Sequence, residues 1–476
     1  MFQDPCRVPG KPDGPPERPA ATLCLAPSQA TTGRGRMTES TRNTGEPGAR
    51  GGDRLPGIDM LRGLAVAGVV CNHLGAYLQV PVPWISRLGG LLGVELFFVI
   101  SGYLIARSCA ALPLGPYLVR RAFRIFPVYW AVVLALTALG PIGQRLAGAP
   151  ASDWFAFLVN LLALSHLYPP ALAGFDVTAV SWSLTVELGW YLLAPLLALL
   201  WGMRATVRGD PRRGAIPVAQ AAAARAAPAR RRVVAGTVVV FAVVSVAWVW
   251  LAQRGAFDRV FRDLLWAGQV GPMTDFLRYA YLVNAAPAHL VFFAAGAALA
   301  TRAPAVPGVP TVAAVAAVPG ARSRRVGPWL AGAAIALTLP WADRVNAVLN
   351  LNPSPVPVLG LAALFLLIHQ VSPADVGARL SRHGLPAPLA RLGGALARVL
   401  DRVGLVSYPI YLIHVPVMLG IKERWPAGNG QAALVQAAGA VLLTWLLAEL
   451  LHRWVERPGI RAGHRVRAGK RGVVGA

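Results

Sequence analysis

From Leu61 to the C-terminal tail, apolar stretches close to the ~20 residues that cross a bilayer recur between short polar or Pro- and Gly-containing breaks. The pattern predicts spans at about 63–82, 91–108, 128–146, 184–203, 233–252, 285–301, 328–345, 355–371, 404–421 and 431–452. A further apolar run, Trp154 to Leu167, has about 14 residues before the Pro169-Pro170 break and reads as a re-entrant or interfacial piece. The expected fold class is all-α, a polytopic membrane helix bundle of about 10 transmembrane helices plus one short re-entrant or interfacial segment. Ahead of it, residues 1–55 are rich in Pro, Gly, Thr and Arg without a sustained apolar period, which predicts a disordered cytoplasmic tail. No signal-peptide pattern is visible there, and Met37 is an alternative start. The expected division is therefore a tail at 1–55, a membrane domain at 56–460 and a basic cytoplasmic tail at 461–476, without internal repeats.

Composition sharpens this picture. Of 476 residues, 55% are hydrophobic and 14% charged, against roughly 25% charged in a soluble domain. A formal net charge of +25 would suit a nucleic-acid binder, but such a protein would not also carry repeated membrane-length runs. The basicity is almost all arginine, and arginine marks the cytoplasmic loops. With the N-terminus inside, the predicted inner loops hold Arg107, Arg120, Arg121 and Arg124, and then eight arginines between Arg204 and Arg232. Reading 154–167 as a full crossing would put those eight outside, so charge favours an even count with both termini cytoplasmic. Cys6, Cys24, Cys71 and Cys109 lack the spacing of a zinc site or disulfide framework. Walker, Rossmann, GxSxG and HExxH patterns are absent as well, so no metal and no bound cofactor are expected.

Ionisable residues inside spans are costly and mark candidate sites. Arg62 and His73 lie 11 residues apart, which at 100° per residue places them about 20° apart around the helix and about 16 Å apart along it. Asp59 lies near the same face. The competing reading is a helix-end Arg–Asp anchor and a buried, hydrogen-bonded histidine. In the second span Glu95 and Gly102 share a face, which would turn a carboxylate towards a close helix neighbour. The cluster Arg120-Arg121-Ala-Phe-Arg124-Ile-Phe-Pro127 offers forked donors suited to phosphate, or simply fixes topology. Ser181-Trp182-Ser-Leu-Thr-Val-Glu187-Leu-Gly-Trp-Tyr191 opens the fourth span, Ser407-Tyr408-Pro-Ile-Tyr411-Leu-Ile-His414 lies in the ninth, and Glu456-Arg457-Pro458 closes the last. Taken singly, His414, His166 and His369 read as satisfied polar residues between helices.

In order and spacing, these stretches resemble the acyltransferase-3 family of multipass membrane O-acyltransferases, which modify bacterial envelope sugars and some secondary metabolites. The resemblance covers about Ile58 to Arg461 and rests on Arg62 through His73, Glu95 through Ser101-Gly102, Arg120 through Pro127, Trp182 through Glu187, and Ser407 through His414 with Glu456-Arg457-Pro458. The second-helix acid is often Asp in the family and is Glu95 here, which alters its reach. The resemblance implies a bacterial inner-membrane enzyme moving an acyl group, most simply acetyl, from cytoplasmic acyl-CoA to a hydroxyl of an envelope sugar or glycolipid. Alternatives are a small glycosylated natural product such as a macrolide as acceptor or, in another class, a proton-coupled transporter or exporter. His73 would act as general base, with Glu187 and Glu95 orienting it or the acceptor. Arg120, Arg121, Arg124 and Arg62 would bind the acyl-CoA, and Asp59, Ser101, Trp182, Tyr408 and His414 are further candidates. Some family members add an extracytoplasmic hydrolase-like domain. Here about 20 residues follow the last predicted span, so the membrane domain or a separate partner is expected to complete the transfer.

Overall fold

The computed structural model describes residues 57–82, 85–140, 148–203, 216–261, 279–301, 332–340 and 356–465, together with Leu55 and Leu146. Among them there is no strand. The tail expected at 1–55 falls almost wholly outside the described residues, as do positions 204–215 and half of the seventh predicted span. Seven described helices are long and apolar enough to cross a membrane, and nine spans result if each of two sharply bent helix pairs counts as one. The protein is thus a polytopic helical bundle.

Helix α1 (Ile58–Leu78) starts beside Gly57 with Asp59 in its first turn, where a carboxylate suits the positive end of the helix dipole, and ends at Gln79 in the left-handed conformation. It runs against α2 (Ile85–Ala111). Helix α3 (Leu114–Leu139) is released by Pro113 in an extended conformation and carries Pro127 in its interior. This start lies well before the expected 128, so Arg120, Arg121 and Arg124 belong to the helix rather than to a loop. Their charge is accommodated because the side chains turn into the bundle end instead of lipid.

The apolar run after α3 forms α4 (Ala151–Leu161), a three-residue 3-10 turn at Ser165–Leu167 and the short α5 (Pro169–Phe175). Eleven residues rise about 16 Å, half of a ~30 Å hydrocarbon layer, so α4 does not cross it. Buried Asn160 ties this piece down. Its amide nitrogen donates to the Phe175 carbonyl at 2.6 Å, and the Tyr129 hydroxyl of α3 lies 2.9 Å from its side-chain oxygen.

Next come α6 (Trp182–Leu200), α7 (Ile216–Gln253) and α8 (Ala286–Ala300), the last preceded by a π-turn at Tyr279–Val283. Parallel α2 and α8 meet at two glycines. A Cβ added at Gly102 would overlap the Phe293 carbonyl, and one at Gly296 the Val99 carbonyl, so only glycine permits this backbone approach. Helices α9 (Pro357–Ile368) and α10 (Val376–Arg382) belong to a pair bent by 83°. Helix α11 (Ala387–Leu405) meets α12 (Ser407–Arg424) at 81°. Consequently the ninth predicted span begins only at Ser407, and α11 packs its Gly404 against the Asp59 backbone of α1. Helix α13 (Gly430–Leu451) passes through a π-turn at His452–Glu456 into α14 (Arg457–Arg465), which returns to α3.

Candidate active site

A cavity opens between α1, α2, α3, α6 and α12. At one end stand Arg62, Arg121 and Arg124; deeper in, Ser101, Ser183, Glu187, Tyr191, Tyr408 and Tyr411 face it. The helical period delivers these side chains. Val94, Phe97, Ser101 and Leu104 recur at three- and four-residue steps along the cavity face of α2, and Ser183, Glu187 and Tyr191 recur at four-residue steps along α6.

The arginine end is ordered before any ligand arrives. Arg121 donates to the Ser108 hydroxyl at 2.6 Å and the Leu104 carbonyl at 3.3 Å, and its guanidinium lies 5.9 and 5.6 Å from the Tyr117 and Tyr191 ring centres. Arg62 donates to Asp59 at 3.1 Å, one turn back on α1. Arg120 belongs elsewhere. It is not among the cavity-lining residues, and its backbone lies against Gly463 of α14, because its position on α3 points towards the returning C-terminal helix.

At the centre, Glu187 Oε1 accepts from the Ser101 hydroxyl at 2.8 Å and the Tyr191 hydroxyl at 2.9 Å. Beside it Ser183 and Tyr411 share a 2.7 Å hydroxyl contact, and the Tyr408 hydroxyl donates to the Ile125 carbonyl at 3.0 Å. Glu95 does not join this group. It is fully buried, both carboxylate oxygens lack a hydrogen-bond partner, and it lies on the Gly102 face that packs against α8. The shared face of Glu95 and Gly102 read from the sequence is present, but it is the face away from the cavity.

His73 stands one layer beyond the lining residues. Its Nδ1 lies 2.7 Å from Nε2 of His414, and the His414 ring centre is 6.0 Å from that of the cavity-lining Tyr411. The sequence reading has Glu187 orienting His73 or the acceptor; in the structure His414 bonds to His73, and Glu187 is held by Ser101 and Tyr191. Tyr77, one turn along α1, flanks His73 at 5.6 Å between ring centres. In the loop ahead of α6, Asp176 accepts from the Thr178 backbone and hydroxyl and from the backbones of Ala179 and Ser181. Burial pushes the Asp176 carboxyl above its ordinary value, although the bonds from Thr178 and Ser181 pull it down.

Other candidates hold packing positions. Trp182 lies edge-on to Phe98 and beside His289, His369 meets the carbonyls of Phe365 and Leu366, and His166 contacts the Tyr281 carbonyl. Glu456 is buried and bonded to His452 at 2.7 Å. Sequence reasoning did not single out Ser183, Tyr191, Tyr411 or Asp176. The first two had a usable signal, since they flank Glu187 at one-turn intervals. No group of three or more potential metal ligands occurs among the described residues.

These features define a class, a polytopic helical membrane protein with an arginine-lined cavity and, next to the cavity-lining Tyr411, a paired imidazole. The family model described as an acyltransferase domain matches residues 55–452, and the chain belongs to that family, acyltransferase-3. It is similar to Nodulation protein 10 of Rhizobium leguminosarum bv. viciae, 32% identical over 187 residues that cover 35% of this chain and 48% of that protein. It is also similar to BcsY of Komagataeibacter xylinus, 34% identical over 158 residues covering 31% of this chain and 38% of that one. O-acetyltransferase OatA of Staphylococcus aureus is 34% identical over 161 residues, 30% of this chain and 24% of that protein. The chain thus spans less than half the length of each of these relatives. No solved structure matches it.

Proposed function

We propose that the protein is an integral-membrane O-acyltransferase of the bacterial inner membrane, both termini cytoplasmic, moving an acyl group, most simply acetyl, from cytoplasmic acyl-CoA to a hydroxyl of an envelope sugar or glycolipid. The observation that carries this reading is the single cavity joining Arg62, Arg121 and Arg124 to the Ser101–Glu187–Tyr191 cluster, with the His73–His414 pair just beyond Tyr411. Arginine forks suit the donor's phosphates, and an extended arm can run from them past Glu187 towards His73. The 11-residue separation of Arg62 and His73 spaces the two ends by about 16 Å along α1.

In this mechanism His73 takes the proton of the acceptor hydroxyl as that oxygen attacks the thioester carbonyl. Glu187 holds Ser101 and Tyr191 along the donor path rather than touching His73. Arg120 is left out of the donor site because it lies against α14 and not along the cavity, and Glu95 out of the chemistry because its carboxylate bonds neither to the Glu187 cluster nor to the histidine pair. The transport alternative gains no specific support from this geometry.

The test uses membrane vesicles containing wild type or His73→Ala at matched protein levels, supplied with acyl-labelled acetyl-CoA and an envelope extract. Label should pass to a saccharide-containing fraction with wild type and not with the variant. Equal transfer by both would remove His73 as the base, and no transfer by wild type would overturn the donor and acceptor classes together.

A further inference from the structure

His414 is fully buried in α12, and its two ring nitrogens have different neighbours. Nδ1 lies 2.8 Å from the Tyr411 carbonyl and 3.1 Å from the Ile410 carbonyl, while Nε2 lies 2.7 Å from Nδ1 of His73. A carbonyl oxygen only accepts, so Nδ1 of His414 carries a hydrogen. A neutral imidazole carries one such hydrogen, which leaves Nε2 of His414 as an acceptor. The 2.7 Å contact is then made by the N–H of His73 Nδ1, and the lone pair of His73 is left on Nε2. That atom has no hydrogen-bond partner among the described residues, and His73 is only partly buried.

The reverse arrangement needs a hydrogen on both nitrogens of His414, a cation on a wholly buried ring. The rings facing the pair are Tyr77 from α1 and Tyr411 from α12, and no carboxylate among the described residues bonds to either histidine to offset that charge.

We infer that His414 is a positioning residue that fixes the tautomer of His73, so that Nε2 of His73 faces the reaction as the lone-pair nitrogen. The tautomer follows from the geometry alone; its catalytic use rests on the acyltransferase reading above. In the reaction the acceptor's O–H proton passes to Nε2 of His73 as its oxygen bonds to the thioester carbon. The C–S bond then breaks, and the proton moves from Nε2 to the thiolate, giving the ester, the free CoA thiol and neutral His73. While His73 is an imidazolium, its Nδ1–H bond to His414 is charge-assisted, which favours the step without placing a permanent charge in the site. A neutral acceptor thus serves where a carboxylate holds the histidine in other acyl-transfer sites.

The test measures ¹⁵N spectra of the ¹⁵N-histidine-labelled full chain in lipid nanodiscs, with the His73 resonances identified by their loss in His73→Gln. The expected result is a His73 with Nδ1 protonated and Nε2 bare, converting to a mixture in His414→Leu and retained in His414→Gln, whose amide oxygen can accept. Labelled-acetyl transfer gives the second readout. His414→Leu should lower kcat about ten- to hundredfold with donor KM within about twofold, and His414→Gln should restore most of it. His414→Glu should move the acid limb of the pH profile up by about one unit, since a neighbouring carboxylate favours the imidazolium. A wild-type His73 protonated at Nε2 would overturn the inference, and so would an active His414→Glu whose pH profile overlays the wild type. If wild type transfers no label, the functional reading fails and the spectra still decide the tautomer. If His414→Leu does not fold, the Gln and Glu variants carry the comparison.

Discussion

Glu187 provides the sharpest separation of charge from hydrogen bonding in the site. One of its oxygens accepts from two hydroxyls, Ser101 at 2.8 Å and Tyr191 at 2.9 Å. Glu187→Gln can keep that oxygen in place and both hydroxyls donating, but converts two charge-assisted bonds to neutral ones. With about 1.5–3 kcal/mol for a hydrogen bond to a charged group and about 0.5–1.5 for a neutral one, the change costs roughly 2–3 kcal/mol over the pair. Glu187→Ala removes the acceptor altogether and leaves two hydroxyls to find new partners, at about 1–3 kcal/mol each. The order of stability should therefore be wild type, Gln, Ala, read as the midpoint of thermal unfolding in detergent. Labelled-acetyl transfer should fall about tenfold in Glu187→Gln and about a hundredfold or more in Glu187→Ala. Ser101→Ala and Tyr191→Phe should be non-additive, because each leaves the shared oxygen to the other; a coupling of at least about 0.5 kcal/mol is expected. Equal stability and activity in the Gln and Ala variants, or strict additivity of the hydroxyl pair, would refute this account of the cluster.

Three further outcomes follow from other parts of the structure. Arg121→Ala with Arg124→Ala should weaken CoA competition at least tenfold, whereas Arg120→Ala should leave it within about twofold, since only the first two line the cavity; equal loss in both proteins would count against the assignment. Asp176 has a raised folded value, so its contribution to stability is present below the unfolded carboxylate pKa of about 3.9 and lost as pH rises through the folded value. The difference in unfolding midpoint between wild type and Asp176→Asn should therefore change in the unfavourable sense for wild type as pH rises above about 4, and a difference that moves the other way would contradict the burial argument. Gly296→Val puts side-chain atoms where the Val99 carbonyl sits, so it should cost at least the 1–3 kcal/mol typical of overpacking and reduce recovery of monodisperse protein; unchanged recovery and unfolding midpoint would show that α2 and α8 can part at no cost.

Much of this arrangement could be read from the chain because hydropathy and helical period are local. The run at Trp154 proved too short to cross, and of the two ionisable residues of α1, Arg62 lines the cavity while His73 meets His414 of α12. What could not be read depends on which helix lies opposite. Glu95 and Ser101 lie six residues apart in one motif, and both looked like site residues. Their directions differ by about 120° around α2, so Ser101 meets Glu187 in the cavity and Glu95 is buried outside it. The same limit applies to Arg120, whose neighbour on the chain, Arg121, enters the cavity while it faces α14. The His73–His414 contact joins positions 341 residues apart, and no local pattern carries such a pairing.

The close glycine crossings explain how a cavity edged with charge can sit inside an otherwise apolar bundle. Gly63 and Gly404 bring α1 and α11 into backbone contact on both sides of the Asp59–Arg62 turn, and Gly102 and Gly296 do the same for α2 and α8 behind the cavity wall. With no side chains between these backbones, each pair moves as one unit. Arg62 and His73 then keep their separation because both project from the same α1, and Ser101 keeps its reach to Glu187 because α2 is braced from its opposite face. A ligand bound at the arginine end therefore meets a Glu187 cluster and an imidazole pair already set in place. Pre-organisation of this kind lowers the ordering cost of binding and reaction. Weakening the α2–α8 contact should for that reason reduce transfer through loss of alignment at Ser101 and Glu187, even though none of the four glycines borders the cavity.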